Sequence, residues 1–507
     1  MDRRTFLAGF ASLVAAPAAA RMKMHGMRQP PNGLVLPEGQ PLRELPRLEN
    51  QTADPGNFRA SLSAGPATVR FAEGVDTPVL AYNRMSPGPL IEVSEGDRVE
   101  IAFANDIPGE ESTIHWHGMP VPADQDGNPM DPVPSGGGRT YAFDLPEGSA
   151  APYWYHPHPH GKTAEQVYRG LAGVFLVKPK VDPVPAEYGD TVLMFTDLRL
   201  APDGTMPAST MIDQMNGRVG DHVLVNGQKN PSLALNLGDK RRVRFYNATN
   251  ARYLRLTFEN ANMVIIGTDG GLLEKPVPAD DILLTPAERV ELIVTFDKAG
   301  QARLKTLDYD RGWMGPGRPN DAGLVLLTAN VAKSPATPQP PLPATLRTIT
   351  PLGTAAVTRR FVFTEKLKMG SGAMSTGSHN MHVGSDSMAM NSGPMSIEFL
   401  INGAAFDMNR VDVVTKLGDV ELWEVVNQSD MDHPFHVHGT QFQVVEHELR
   451  GKVTRPTYVS WKDTVNVVQG ETARLLLRQG QPGRRMYHCH ILEHEDLGMM
   501  GIVDVQA

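Results

Sequence analysis

Hydrophobic and polar residues alternate along much of the chain with a period of two. Arg98-Val-Glu-Ile-Ala-Phe103, Arg241-Arg-Val-Arg-Phe-Tyr246, Arg289-Val-Glu-Leu-Ile-Val-Thr295 and Ala473-Arg-Leu-Leu-Leu-Arg478 are examples. Each is flanked by Gly, Pro, Asp or Asn, which turn a chain, so each reads as a strand with one face toward a core. No long helical periodicity interrupts them. Many short strands with turn residues between them predict β-sandwiches. One element repeats. Glu95-Gly-Asp-Arg-Val-Glu-Ile101, Leu237-Gly-Asp-Lys-Arg-Arg-Val243 and Leu417-Gly-Asp-Val-Glu-Leu-Trp423 each place a Gly-Asp turn before a strand. One such turn per ~150 residues predicts three homologous β-domains. Pro-rich stretches at 178–185 and 334–351 supply the linkers, giving expected domains at 45–180, 186–333 and 350–507.

Composition changes this picture little. Gly 48 and Pro 42 suit a loop-rich all-β chain, and charged residues at 21% with hydrophobics at 41% suit a globular one. A formal charge of −9 lacks the basic field that a nucleic-acid partner would need. The N-terminus does change it. Arg3 and Arg4 precede Phe6-Leu7, an apolar run to Val14 and the small residues Ala18-Ala19-Ala20. Residues 1–20 read as a twin-arginine export signal, with an ordinary secretory leader as the rival. No later apolar run is long enough to span a bilayer, so a soluble periplasmic protein is expected, working as a monomer. Cys489 is the only cysteine, so no internal disulfide can form. A lone thiol in an oxidising compartment is either buried and inert or a metal ligand.

Its neighbours favour the ligand. Eleven of the 16 histidines fall into four short clusters, too many for chance. They are His115-Trp-His117, His156-Pro-His158-Pro-His160, His433-Pro-Phe-His436-Val-His438, and His488-Cys489-His490 with His494 and Met499 following. Residues i and i+2 of a strand share a face. The pairs 115/117, 156/158, 436/438 and 488/490 can therefore converge and supply eight imidazoles. Cys489 must face the other way, and an extended third cluster would send His433 with it. Two metal sites result, joined by one Cys with His on both sides. Two His, one Cys and a weak axial Met make a blue-copper site. Zinc is the competitor, but a closed zinc site has no use for Met499. Eight imidazoles exceed one metal's needs and suit several coppers that deliver several electrons to one bound molecule, with O2 the natural acceptor.

The four motifs together resemble those of the multicopper oxidases, over essentially the whole chain after the leader. The resemblance implies three cupredoxin-like Greek-key β-sandwich domains, with a three-copper cluster between the first and third. It also implies four copper ions and four one-electron oxidations coupled to reduction of O2 to two waters. Carried over by position, His433, Cys489 and His494 would hold a type 1 copper, with Met499 axial. His115 and His436 would hold the type 2 copper, and His117, His156, His158, His438, His488 and His490 the type 3 pair. His160 has no ligand role in the pattern and is expected to be structural. Glu495 and Asp126 match acidic positions that supply protons to O2, a solvated loop carboxylate being the plainer reading of each.

The electron donor is the open question. Met369, Met374, Met381, Met388, Met390 and Met395 lie with His379 and His382 in the polar, Gly/Ser-rich stretch 369–395. This stretch reads as a surface loop of the third domain. Met22, Met24, His25 and Met27 follow the leader. Thioethers select Cu(I). Both groups resemble the Met-rich segments of exported cuprous oxidases of copper tolerance, the plainer reading being that methionine, at 24 residues, is abundant throughout. Met431, Asp430 and Glu365 are the candidates for a substrate-copper site, and additional labile copper could bind. The expected function is Cu(I) oxidation. Laccase-like oxidation of phenols or aromatic amines and non-catalytic copper sequestration are the alternatives.

Overall fold

The computed structural model describes residues 34–370 and 393–507. The leader, the methionines from Met22 to Met27 and the core of the Met-rich stretch lie outside the described residues.

The described strands form six sheets, paired into three cupredoxin-like sandwiches. In the first sandwich, Asn57–Ala72 runs parallel to Arg98–Asn105, and in the facing sheet Ile91–Ser94 runs parallel to Gly173–Lys178. The middle sandwich repeats this with Asp190–Leu198 beside Asp239–Asn247, and Ser232–Leu237 beside Val325–Pro335. The third repeats it with Val357–Gly370 beside Val420–Asn427, and Val413–Lys416 beside Met500–Gln506. The Gly-Asp turns occupy one topological place in all three. Each carries the chain from one sheet of its sandwich to the other. Gly96, Gly238 and Gly418 have φ of +86°, +91° and +85°, a left-handed region that disfavours side chains. A reversal this tight needs that geometry, which is why the repeat is visible in the sequence.

Alternation builds the cores. Arg98–Asn105 buries Val99, Ile101 and Phe103 and turns the residues between them outward or to the rim. These join Trp116, Tyr141 and Tyr155 in the core of the first sandwich. The core of the third holds Phe361, Phe363, Trp423 and Phe435, and it also takes in Cys489, Met431 and Met499. The second Pro-rich stretch lies along the middle sandwich, where Leu346 donates its backbone N–H to Glu274 at 2.9 Å. Among the described residues no helix is long and apolar enough to cross a membrane.

The Met-rich stretch has a defined root. Val357–Gly370 and Gly393–Ile401 pair antiparallel, with Gly370 opposite Gly393. The intervening residues therefore connect the two arms of a hairpin at the edge of the third sandwich's larger sheet.

Candidate metal centres

Cross-strand pairing gathers the histidines before any long-range packing does. His115–His117 pairs with Ala151–His156, which sets His115 opposite His156. His433–Val437 pairs with Gly483–Cys489, which sets His436 opposite His488. Trp116, between its two histidines, points into the core of the first sandwich. Parity likewise separates Cys489 from its neighbours. The Cys489 sulfur lies 3.3 Å from His433 Nδ1 and 4.0 Å from His494 Nδ1, and the two ring nitrogens are 3.3 Å apart. Met499 is fully buried beside them, its carbonyl accepting from the Cys489 N–H at 3.0 Å. The outer nitrogens are also held. His433 Nε2 meets the Ser429 hydroxyl at 2.7 Å, and His494 Nε2 meets the Met215 carbonyl at 3.2 Å. Phe399 stacks on His494 with ring centroids 3.8 Å apart.

The other eight imidazoles are fully buried where the first and third sandwiches meet. They fall into groups with ligand atoms within 4.8 Å of one another: His117, His156 and His490; His158, His438 and His488; and His115 and His436, which share a third group with His117. The two neighbours of Cys489 thus enter different triads. Each triad mixes residues from both ends of the chain.

Hydrogen bonds fix how the rings face. Nδ1 of His115, His156, His436 and His488 donates to the carbonyls of Asp126, Pro157, Asp463 and Cys489 at 2.8–3.0 Å. His438 Nδ1 donates to Asp126 Oδ2 at 3.0 Å, and His117 Nε2 donates to Asp463 Oδ1 at 3.1 Å. A neutral imidazole that donates outward presents a lone pair inward. Burial first, then neighbouring imidazoles, pushes His117, His156, His158, His436, His438 and His490 well below the usual histidine range. Burial also pushes His433 and His488 down to about 3. All are therefore neutral at physiological pH, the protonation state a metal requires.

Comparison with known proteins decides what the arrangement is. Models described as multicopper oxidase match residues 63–182, 190–303 and 373–507. The chain is 31% identical over 472 residues to multicopper oxidase mco of Staphylococcus aureus, covering 91% of this chain and 92% of that protein. The chain belongs to the multicopper oxidase family. Among solved structures, this multicopper oxidase resembles one from Campylobacter jejuni described as a metallo-oxidase. The TM-score is 0.83 at 39% identity, over 93% of this chain and 96% of that one. It is also 30% identical over 488 residues to the cell division protein FtsP of Escherichia coli K12, covering 91% of this chain and 92% of that protein.

The family implies copper, and the donor set fits it. On four rings whose other nitrogen donates outward, the inward nitrogen has no hydrogen-bond partner: His115 Nε2, His117 Nδ1, His156 Nε2 and His436 Nε2; His158 Nδ1 and both nitrogens of His490 are also unpartnered. Leaving a buried polar group unsatisfied costs roughly 1–3 kcal/mol. Four such lone pairs together cost a large fraction of the whole stability of a typical protein, about 5–15 kcal/mol. Cations offset that cost. His438 Nε2 and His158 Nε2 also approach His488 Nε2 to 3.0 and 3.3 Å, and converging lone pairs favour a cation between them. Thiolate with imidazole suits copper at Cys489.

Both expected acids of this multicopper oxidase lie against the cluster. Asp126 places Oδ2 on His438 Nδ1 and Oδ1 3.3 Å from His115 Nδ1. Beside it, Gly127 at φ +72° lies so close to the Ile114 carbonyl that no side chain fits, which presses the Asp126 loop onto the His115 strand. Glu495 places Oε1 3.4 Å from His158 Nε2 and Oε2 3.2 Å from His488 Nδ1. Burial, then the carboxylate of Asp496, pushes it well above the usual carboxylate range. His160 stands apart, exposed, with its ring on Phe406.

The three substrate-copper candidates divide. Glu365 Oε1 accepts from the Asp430 N–H at 2.8 Å, so these two meet. Met431 is fully buried, with its sulfur 3.4 Å from Arg311 Nη1. Sequence reasoning missed Arg311, Ser429, Asp463 and Arg289. Arg311 is a buried guanidinium with no carboxylate at ion-pair distance among the described residues, and its field reaches Cys489, His433 and His494. No motif marks any of the four.

Proposed function

We propose that this multicopper oxidase is an exported cuprous oxidase that oxidises Cu(I) to Cu(II) and reduces O2 to water. The observation that carries the oxidase reading is the division of His488 and His490 between two triads while Cys489 joins His433 and His494. An electron accepted at Cys489 then has a short covalent route to both. His433, Cys489, His494 and Met499 hold the type 1 copper in this reading. His115 and His436 hold the type 2 copper. His117, His156 and His490 hold one type 3 copper, and His158, His438 and His488 the other. Four coppers supply the one-electron steps and the four-electron reduction of O2.

The chain's own residues do the rest. Carbonyls and carboxylates fix the ring tautomers before metal arrives. Burial of all eight imidazoles excludes bulk water, so protons must come from held groups. Glu495, whose carboxyl burial shifts toward the protonated form, is placed to hold one beside His158 and His488, and Asp126 lies in reach of His115 and His438. Met499 would add a thioether to the type 1 copper's ligands. Met499→Leu preserves volume, at a cost below about 1.5 kcal/mol. It is expected to keep the blue colour and raise the reduction potential, measured by redox titration.

Cu(I) as donor rests on the thioethers of residues 369–395 at the end of the hairpin, on the paired Glu365 and Asp430, and on a 39%-identical relative described as a metallo-oxidase. The leader at 1–20 would deliver the folded protein to the periplasm. Because Gly370 and Gly393 are cross-strand partners, residues 371–392 can be replaced by an Asn-Gly turn without opening the sheet. The shortened protein is expected to lose Cu(I) oxidation, measured as O2 uptake, while phenol oxidation is retained or rises.

A laccase-like reading draws on a relative described as a laccase from Pediococcus acidilactici, 29% identical over 94% of this chain. O2 uptake by copper-loaded protein, with Cu(I) and then a simple phenol as donor, each with and without Cu(II), tests the choice. Fast uptake with Cu(I), and phenol turnover only with added Cu(II), is the expected result. Phenol turnover without added copper would favour the laccase. No uptake with either donor would favour copper sequestration or a role in cell division, for which FtsP is named.

A further inference from the structure

The middle sandwich contributes no histidine to the clusters, yet one of its arginines reaches them. Arg289, at the start of the strand Arg289–Phe296, is fully buried. All five of its side-chain N–H groups are used. Nε donates to the Pro152 carbonyl at 2.7 Å, in the first-sandwich strand that ends at His156. Nη1 donates to the Ala287 carbonyl at 2.9 Å and to Asp463 Oδ1 at 2.7 Å. Nη2 donates to the Asp269 carbonyl at 3.2 Å and to Asp463 Oδ2 at 2.5 Å. One planar fork thus bonds to all three sandwiches, a geometry that Lys could not reproduce.

Its partner Asp463 faces two histidines. Oδ1 accepts from His117 Nε2 at 3.1 Å, and the backbone carbonyl accepts from His436 Nδ1 at 2.8 Å. Those two rings stack with centroids 3.7 Å apart. Gly118, next to His117 at φ +83°, has no room for a side chain because Asp463 and Arg289 press against it. The segment before Asp463 is gripped as well, with Lys462 Nζ 2.9 Å from both Asp269 and Glu288 of the middle sandwich.

We propose that Arg289 is a positioning residue through which the middle sandwich sets the ring orientation of His117 and His436, acting by way of Asp463. The inference rests on the ligand assignment given above. A carboxylate free to rotate could turn either oxygen toward His117. Held by the two-pronged bond, it presents Oδ1 to His117 and keeps its own backbone carbonyl aimed at His436. Removing the fork frees both rings while leaving the Cys489 site, on the other face of its strand, untouched.

The test uses the full-length copper-loaded protein. Arg289→Met, Arg289→Lys and Asp463→Asn are compared with wild type by copper titration, by the type 2 electron paramagnetic resonance signal and near-ultraviolet type 3 absorption, and by the blue type 1 band. Supporting outcomes are a roughly 10- to 100-fold loss of affinity for the type 2 copper with an altered signal, an unchanged blue band, and no rescue by Lys. Asp463→Asn is nearly isosteric and covers the case in which Arg289→Met fails to fold. Unaltered type 2 and type 3 signatures in the variants would overturn the proposal. So would a blue band that falls in step with them, since that marks a general structural role, and so would full rescue by Lys, since that marks charge alone. Wild-type protein lacking type 2 and type 3 signals would instead overturn the ligand assignment.

Discussion

Cys489→Ser is expected to abolish the blue absorption of the copper-loaded protein and to take O2 uptake to background with every donor. A thiolate is a soft ligand and a hydroxyl a hard one, so the change removes the donor that, in the proposed reading, makes the site blue and admits electrons. The fold should survive. Oxygen is smaller than sulfur, and the bond from Cys489 N–H to the Met499 carbonyl is made by backbone. The Ile491 N–H that now points at the sulfur at 3.3 Å can be accepted by a serine hydroxyl. Visible absorption, copper content and thermal unfolding of the metal-free protein separate the outcomes. A variant that stays blue would falsify the assignment. One that loses both colour and cooperative unfolding would show that the thiol is structural.

Glu495→Gln should slow reduction of O2 by about 10²- to 10⁴-fold while copper content and blue colour stay as in wild type. The carboxyl is buried against His158 and His488, and that burial, then the carboxylate of Asp496, pushes its pKa well above the usual carboxylate range, toward the protonated form. Gln has the same shape and can still hydrogen-bond, but it has no proton to release. Reduction of the type 1 site by a donor should be unaffected and its reoxidation by O2 slowed. Rapid mixing of the reduced protein with O2, following return of the blue band, reads this directly. Return at the wild-type rate would mean that Glu495 is a spectator, leaving Asp126, between His115 and His438, as the remaining sequence-identified acid at the cluster.

How far the sequence reaches depends on the range of the rule used. Strand alternation is local, and it separated His433 and Cys489 from the eight other histidines correctly. The Gly-Asp turns marked three sandwiches because a positive φ at a fixed place in the topology leaves a glycine behind. Met431 shows what such local rules leave out. Two residues before His433 it is a candidate for a substrate copper, and only the fold shows that its sulfur lies 3.4 Å from Arg311 Nη1. Arg311 is more than a hundred residues away, and no spacing rule connects the two.

The chain's local chemistry therefore determined the strands, the pairing of histidines two apart, the opposed direction of the lone cysteine and, with the family resemblance, the metal. The division of imidazoles into triads was decided only by the packing of the first sandwich against the third. It unites His117 and His156 with His490, and His158 with His438 and His488. The arginine of the middle sandwich that grips Asp463 became visible at the same level. Strand parity reaches only as far as one strand. Distances between residues hundreds of positions apart are set by which faces bury one another, and the sequence states those faces without stating their partners.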